Sequence, residues 1–192
     1  MTAKVINNND VLGFESEKAT CPQRLNSMDL LSEWTGLTRS LKIYDSEIDE
    51  LESNALWKKV QGRKNVMFVV VTNTGDVFGS FHGILPEKQG AWVREDKDQF
   101  IFSLDNNQGY QPTKFKPKSM THQLLSIAKK NQKQKMFWIS DAFRINSEDK
   151  SYISSSFSRF YEDTTHSDGN IFTGSVYPLT FSVVSCVAFQ WF

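Results

Sequence analysis

The sequence has few of the features that mark secreted, membrane-spanning or cofactor-binding proteins. Its two cysteines, Cys21 and Cys186, lie far apart and form no CxxC pair, so it lacks the framework of a disulfide-stabilised secreted domain. Residues 1–20 are polar and lack the continuous apolar core of a signal peptide. No window approaches the roughly 20 apolar residues that a membrane helix needs. These absences predict a soluble cytoplasmic protein with reduced thiols and no membrane insertion.

An excess of positive charge is also missing. Lysine and arginine together number 22, and aspartate and glutamate together number 22, so the formal net charge is zero. Proteins that bind nucleic acid usually carry a basic excess, because neutralising phosphates drives their association. The balance therefore predicts that no nucleic acid is a partner.

Motifs that carry chemistry are absent as well. No GxxxxGK[ST], GxGxxG or GxSxG pattern occurs, and His82, His122 and His166 share no metal-ligand spacing. We therefore predict no catalytic residue, no metal and no cofactor. Cys186 lies in an apolar run, where burial would raise its thiol pKa and make it inert. Cys21, beside a proline at a predicted helix start, is the better candidate for a reactive thiol.

The strongest positive signal is a β-hairpin at residues 66–83. An apolar run at 66–71 is followed by the polar turn TNTGD and by a second apolar run at 77–81. Residues that are β-branched or aromatic on both sides of a glycine-containing turn are typical of a hairpin. Both faces of the first run are apolar, which indicates a central strand that is covered on both sides.

Further elements are predicted on each side of this hairpin. Leu25, Met28, Leu31 and Trp34 fall on one face of a helix over 21–34, and Gly36 would end it. Strands are predicted over residues 40–45, 99–104, 135–139 and 142–145. The apolar end, 179–192, predicts a long strand inside the sheet.

Residues 46–60 are predicted to form one helix. Ser46 would cap it, the acidic residues of its first turn suit the helix dipole, and the lysines of its last turn do likewise. Ile48, Leu51 and Leu56 belong to its predicted buried stripe.

A lysine-rich span occupies about residues 111–135. It carries seven lysines and no acidic residue: Lys114, Lys116, Lys118, Lys129, Lys130, Lys133 and Lys135. Its apolar cluster at 124–128 is compatible with a helix over 121–130 or with part of a mobile insertion. The lysines themselves are interpreted as a solvated loop or as a contact with an acidic partner or anionic surface.

Several of these segments together resemble the TLDc domain, which occurs in eukaryotic oxidation-resistance proteins. The segment LKIYDSEIDELESNALWKKV is similar to the family's strand followed by a helix, and VFGSF at 77–81 is similar to the second strand of its central hairpin. FIFSL at 100–104 and the closing FSVVSCVAFQWF resemble two further strands. The residues that carry these motifs are Tyr44, Phe78, Gly79, Phe100, Phe102 and Trp191. Phe189 replaces an acidic residue that the family usually has, which makes the chain a divergent member.

The resemblance implies an α+β fold: a two-layer antiparallel β-sandwich flanked by a few helices. Residues 1–20 would be a polar lead-in, and 21–192 a single domain with the lysine-rich insertion. The family is linked to protection against oxidative stress and to regulation of the vacuolar proton-pumping ATPase. It has no settled catalytic chemistry, and its motif residues are expected to be structural.

Three functions remain open at this point. The first is a non-catalytic protein-interaction domain, with vacuolar ATPase subunits as possible partners. The second is an enzyme, either a hydrolase or a peroxide-handling protein that uses Cys21. The third is a binder of anionic surfaces through the lysine-rich span.

Overall fold

The computed structural model describes residues 27–119, 122–148 and 150–192. Its strands, in chain order, are β1 Ser40–Asp45, β2 Lys64–Thr72, β3 Val77–Ile84, β4 Phe100–Asp105, β5 Thr113–Phe115, β6 Leu125–Ile127, β7 Lys135–Ile139, β8 Phe143–Asn146, β9 Tyr152–Ile153 and β10 Val183–Trp191. Its helices are α1 Ser27–Thr35, α2 Ser46–Asp49, α3 Ser53–Val60, α4 Phe157–Phe160 and α5 Asn170–Thr173.

The strands form two antiparallel sheets. The larger has the order β1-β10-β2-β3-β4-β5, and the smaller has the order β6-β7-β8-β9. Buried side chains from both sheets make up one continuous hydrophobic cluster, so the sheets pack face to face. The predicted α+β architecture, a two-layer antiparallel sandwich with a few helices, is confirmed.

The predicted hairpin lies at the centre of the larger sheet. β2 and β3 pair through seven residue pairs, and the amide of Thr72 donates to the carbonyl oxygen of Asp76 (3.0 Å) in the turn between them. Along β2, Val66, Phe68 and Val70 face the smaller sheet, whereas the alternate residues face the other way. The interpretation of this run as a central strand covered on both sides is therefore confirmed.

A dense aromatic cluster fills the space between the sheets, which we call the inter-sheet core. Phe78 of β3 is fully buried there, and its ring centroid lies 5.1 Å from that of Phe143, 5.7 Å from Phe172 and 5.6 Å from Phe181. All three pairs are edge-on, the geometry that the ring quadrupoles favour. The core thus joins β3, β8, α5 and the segment before β10.

A second hydrophobic cluster, which we call the outer core, covers the opposite face of the larger sheet. It contains Leu31 from α1 together with buried residues of β2, β3, β4 and β10. α1 ends at Thr35, and Gly36 follows with φ +70, as the terminator prediction requires. The predicted start of this helix, at Cys21, lies outside the described residues.

The prediction of one helix over residues 46–60 is wrong. α2 ends at Asp49, Glu50 has φ +69, and α3 begins at Ser53. The hydroxyl of buried Tyr44 donates to the carbonyl oxygen of Glu50 (2.7 Å), so the interruption supplies the acceptor that this hydroxyl needs.

The details of the predicted cap and stripe also change. Asp45 caps α2 by accepting from the amide of Glu47 (3.1 Å), whereas the hydroxyl of Ser46 accepts from the amide of Cys186 (2.9 Å) in β10. Because the helix is interrupted, Ile48 leaves the buried stripe and is 78% exposed.

A helix over residues 121–130 is also wrong. Leu125–Ile127 is β6, which pairs with β7 and is buried. On its other side, the amide of Val93 donates to the carbonyl oxygen of Leu125 (2.8 Å), and the amide of Gly90 donates to that of Ile127 (2.7 Å). Backbone bonds on both sides and burial of both apolar side chains favour the strand over a helix.

The last strand lies inside the larger sheet, as predicted. β10 pairs with β1 on one side and with β2 on the other. It begins at Val183 and not at residue 179, and Leu179 is 64% exposed.

Candidate functional site

The six motif residues are buried in the two cores. Tyr44 and Phe78 lie in the inter-sheet core, whereas Phe100, Phe102 and Trp191 lie in the outer core. None of these five side chains is more than 3% exposed. Each of these five side chains therefore packs inside one of the two cores.

Gly79 has a packing role that explains why a glycine stands within the VFGSF motif. A Cβ at this position would meet the ring of Phe102 at 2.6 Å and would clash more severely with the carbonyl oxygen of Phe68 on β2. Absence of the side chain therefore lets Phe102 pack beneath α1, where its ring centroid is 6.0 Å from that of Trp34.

Cys186 is the cysteine that the structure describes, and its thiol is free. It is fully buried in β10, and burial raises the pKa of its thiol to about 12. A thiol with such a pKa holds almost no thiolate at neutral pH, which is the reactive form. Cys21, the predicted reactive thiol, lies outside the described residues.

A buried row of serine, histidine and aspartate crosses from β3 to the loop that follows it. His82 Nε2 lies 2.9 Å from Ser80 Oγ, and His82 Nδ1 lies 3.9 Å from Asp96 Oδ2. Burial lowers the pKa of His82 to about 3 and raises that of Asp96. None of the three is more than 1% exposed, so a substrate cannot reach Ser80 unless the core opens.

The other two histidines stand apart from this row. His122 makes an edge-on ring contact with Phe160 (5.3 Å), and His166 lies beside Lys118 in the wall of a surface pocket. Among the described residues, no group of three or more histidine, cysteine, aspartate or glutamate side chains could hold a metal ion.

The seven lysines of the lysine-rich span are spread over both sheets. Lys114 is in β5 of the larger sheet and Lys135 is in β7 of the smaller one. Lys114 and Lys116 line one pocket, Lys118 a second and Lys135 a third. Lys129, Lys130 and Lys133 are exposed around the turn between β6 and β7.

Two of these lysines meet a third cation in a pocket between α1 and the β4–β5 edge. We call this the basic pocket: Lys97, Lys114 and Lys116, with walls from Trp34, Thr35, Leu37, Asn65, Phe81, Asp98 and Phe100. It encloses about 390 Å³. Lys97 comes from the loop before β4. The sequence does not single it out, because only the position of β4 beside β5 in the larger sheet brings it near Lys114 and Lys116.

Lys114 is the most constrained cation of the basic pocket. Its Nζ donates to the carbonyl oxygen of Trp34 (3.4 Å) near the end of α1 and lies 5.6 Å from the centre of the Phe100 ring. Partial burial, followed by the nearby charge of Lys116, lowers its pKa. An anion in the pocket would relieve the repulsion between the two ammonium groups.

Within the described ranges, no helix is both long and apolar enough to cross a membrane.

Comparison with known proteins places the chain in a family. No curated protein matches the sequence. A family model described as the TLDc domain matches residues 17–174, which include α1, the central hairpin, β4 and the whole smaller sheet. This match covers most of the chain and includes the motif residues Tyr44, Phe78, Gly79, Phe100 and Phe102, whereas Trp191 lies beyond it. The chain therefore belongs to the TLDc domain family.

Proposed function

We propose that this protein is a non-catalytic protein-interaction domain of the cytoplasm. The observation that carries the proposal is the family match over residues 17–174. The finer role that we propose is the one the resemblance implied, protection against oxidative stress through regulation of the vacuolar proton-pumping ATPase. Subunits of that ATPase are the proposed partners.

Two features of the core support a non-catalytic function. Cys186, with its raised pKa, is unsuited to act as a nucleophile. Ser80, His82 and Asp96 have the order of a hydrolytic triad, but they are enclosed by the sandwich. The distance of 3.9 Å between His82 and Asp96 is too long for the hydrogen bond that orients a catalytic histidine.

Affinity purification tests the proposed partner. The tagged chain is purified from its own cells, and the proteins that come with it are identified by mass spectrometry, with the tag alone as control. We expect ATPase subunits to be enriched. Unrelated partners without ATPase subunits would mean that the interaction role holds but the ATPase role does not.

A peroxide assay tests the enzymatic alternative. The purified full chain and its Cys21→Ser variant are compared for consumption of hydrogen peroxide. We expect both to consume it at the rate of a protein-free blank. Consumption that depends on Cys21 would contradict the non-catalytic proposal.

The basic pocket favours a second candidate function, binding of an anionic surface. It gathers Lys97, Lys114 and Lys116 in one place, although the formal net charge of the chain is zero. Vesicles with about one third anionic lipid would be sedimented with the protein at low and high salt. Binding that weakens with salt and with Lys114→Gln plus Lys116→Gln would support this function.

The matched control for that test comes from the same lysine-rich span. Lys130→Gln plus Lys133→Gln removes the same charge from the exposed β6–β7 turn, away from the basic pocket. Equal loss with both pairs would indicate non-specific attraction and would count against a role of the pocket.

A further inference from the structure

A row of alternating aromatic and cationic side chains crosses the outer face of the smaller sheet. Trp138 in β7 lies opposite Arg144 in β8, and Arg144 lies opposite Tyr152 in β9. The guanidinium carbon of Arg144 is 4.8 Å from the centre of the Trp138 ring and 5.5 Å from that of Tyr152. Arg144 is therefore held between two aromatic rings.

The row continues at both ends. The ring of Trp92 lies 6.3 Å from that of Trp138, and the ring of Tyr177 lies 5.1 Å from that of Tyr152. These terminal rings are 36% and 55% exposed, respectively. We call Trp92, Trp138, Arg144, Tyr152 and Tyr177 the aromatic–cation row.

Two hydrogen-bond donors within the row lack acceptors. The indole Nε1 of Trp138 and the Nε of Arg144 are buried atoms with no hydrogen-bond partner among the described residues. Both groups can only donate, so what they lack is an acceptor. Buried donors in folded proteins are almost always paired, so unpaired ones need an explanation. Because both atoms are buried, an acceptor from a ligand would reach them only if the neighbouring side chains moved aside.

Positive charge is concentrated beside the row. A pocket of about 430 Å³ at the open end of the β7–β8 hairpin is lined by Lys135, Arg144 and Lys150, with the amide side chains of Gln134 and Asn146. Among the described residues that line this pocket, Glu148 is the one that is acidic. Among the described lining residues, three cations face one carboxylate, which makes this part of the site complementary to an anion.

The arrangement of the rings favours carboxylates over nucleic-acid bases. Binding of single strands uses aromatic faces on which bases stack. Here Arg144 lies against the rings of Trp138 and Tyr152, and Lys135 Nζ lies 5.6 Å from the centre of the Trp138 ring. The cations occupy stacking positions, whereas a stacked guanidinium can still present its N–H edge to a carboxylate.

We propose that the aromatic–cation row and its adjoining pocket bind an acidic segment of a partner protein. Aspartate or glutamate carboxylates of that segment accept hydrogen bonds from Arg144, Lys135 and Lys150, and flanking apolar side chains contact Trp92 and Tyr177. The inference rests on the proposed interaction function and identifies the surface and the kind of partner.

The test is a titration of the full chain, labelled with ¹⁵N, with a decapeptide rich in glutamate and containing one leucine. The side-chain Nε–H signals of Trp138 and Arg144 are followed, and the indole signal is assigned with Trp138→Phe. We expect both signals to shift on binding and the affinity to fall with salt. Arg144→Gln should weaken binding by about tenfold, because charge-assisted hydrogen bonds are lost.

Arg39→Gln is the matched control, since it removes the same charge from an exposed position before β1 in the other sheet. We expect it to bind the peptide as the wild type does. Absence of binding, or equal binding by the Arg144→Gln and Arg39→Gln variants, would overturn the proposal. Tighter binding of a single-stranded oligonucleotide or of phosphoinositide vesicles at the same residues would also overturn it.

Purification from cells separates this inference from the proposed function. Recovery of the same partners by wild type and by Arg144→Gln would leave the interaction function standing and would reject this surface. Recovery of no partner by the wild type would reject the interaction function, whereas the peptide titration would still decide whether the surface binds acidic segments.

Discussion

Replacement of Gly79 by alanine tests the packing of the central hairpin most directly. A Cβ at this position would lie 2.6 Å from Cζ of Phe102 and even nearer to the carbonyl oxygen of Phe68, whereas real Cβ atoms essentially never come within 3.0 Å of a neighbour. The oxygen belongs to the main chain of β2, so it cannot rotate away. Relief requires a shift of β3 against β2, the pair at the centre of the larger sheet.

The magnitude follows from the neighbours that must move. Overpacking of a core costs about 1–3 kcal/mol and sometimes more. Here a backbone atom and the ring of Phe102, held near Trp34 and Phe100, both obstruct the new methyl group. We therefore expect Gly79→Ala to lower the free energy of unfolding by about 3 kcal/mol.

Urea unfolding, followed by tryptophan fluorescence, measures this loss. With an m-value of about 2 kcal/mol/M, the midpoint should fall by about 1.5 M. Gly75→Ala is the control, because Gly75 has φ +87 but no atom lies within 4 Å of the position that its new methyl group would take. Its cost should be about 1 kcal/mol, from backbone conformation alone. A loss for Gly79→Ala no larger than that of Gly75→Ala would refute the packing argument.

Three further perturbations test the buried groups. In a Cys21→Ser background, Cys186 should not react with a thiol reagent at pH 8 until the chain is unfolded, because its pKa is about 12. The free energy of unfolding should fall by up to about 1.4 kcal/mol per pH unit as the pH drops from 6.5 towards 3, because His82 takes up a proton in the unfolded chain before it does so in the native one. The raised pKa of Asp96 opposes part of this slope, and His82→Gln should flatten it, as acid-dependent urea titrations would show. Asp76→Ala should cost about 2 kcal/mol in the same urea assay, since its buried carboxylate accepts from two threonine hydroxyls of the hairpin turn and from a backbone amide after β4.

The central strands were predictable because their signals are local. Residues 66–71 are apolar on both faces and are followed by a turn that contains Gly75, so the hairpin and its burial can be predicted without knowledge of the distant elements that cover it. The strand at 100–104 and the final strand have the same character. Family motifs occupy these same segments, which is why the resemblance and the fold agree.

The errors arose where a tertiary contact or a side-chain hydrogen bond, and not the spacing of apolar residues, decides the local conformation. β6 is only three residues long, and its bonds to the segment around Val93 and to β7 turn an ambiguous apolar cluster into a strand. Where the predicted helix over 46–60 is interrupted, the carbonyl oxygen of Glu50 accepts a hydrogen bond from the hydroxyl of Tyr44, a residue of the preceding strand. Neither contact can be read from the spacing of apolar residues.

The candidate surfaces were hidden for a related reason. Lys97 joins Lys114 and Lys116 only because β4 and β5 are neighbours, and Trp138 meets Arg144 and Tyr152 only through the register of two successive hairpins. In the sequence these residues are ordinary alternating positions of short strands. Adjacent strands place opposite residues side by side, so such a row is visible only once the pairing is known.

The position of these surfaces bears on how a divergent family member could acquire its own partner. The residues that carry the family motifs fill the two cores, and of these only Phe100 also lines the basic pocket, whereas the cations of the aromatic–cation row and of the basic pocket take outward-facing positions on opposite sheets. Under the two proposals, substitutions at Arg144 or Lys116 should weaken binding and leave the two cores intact, whereas substitutions at Gly79 or Phe78 should disturb the cores. Different residues would then determine the fold and the binding partner. A partner inferred from the fold alone therefore has to be tested at the surface residues.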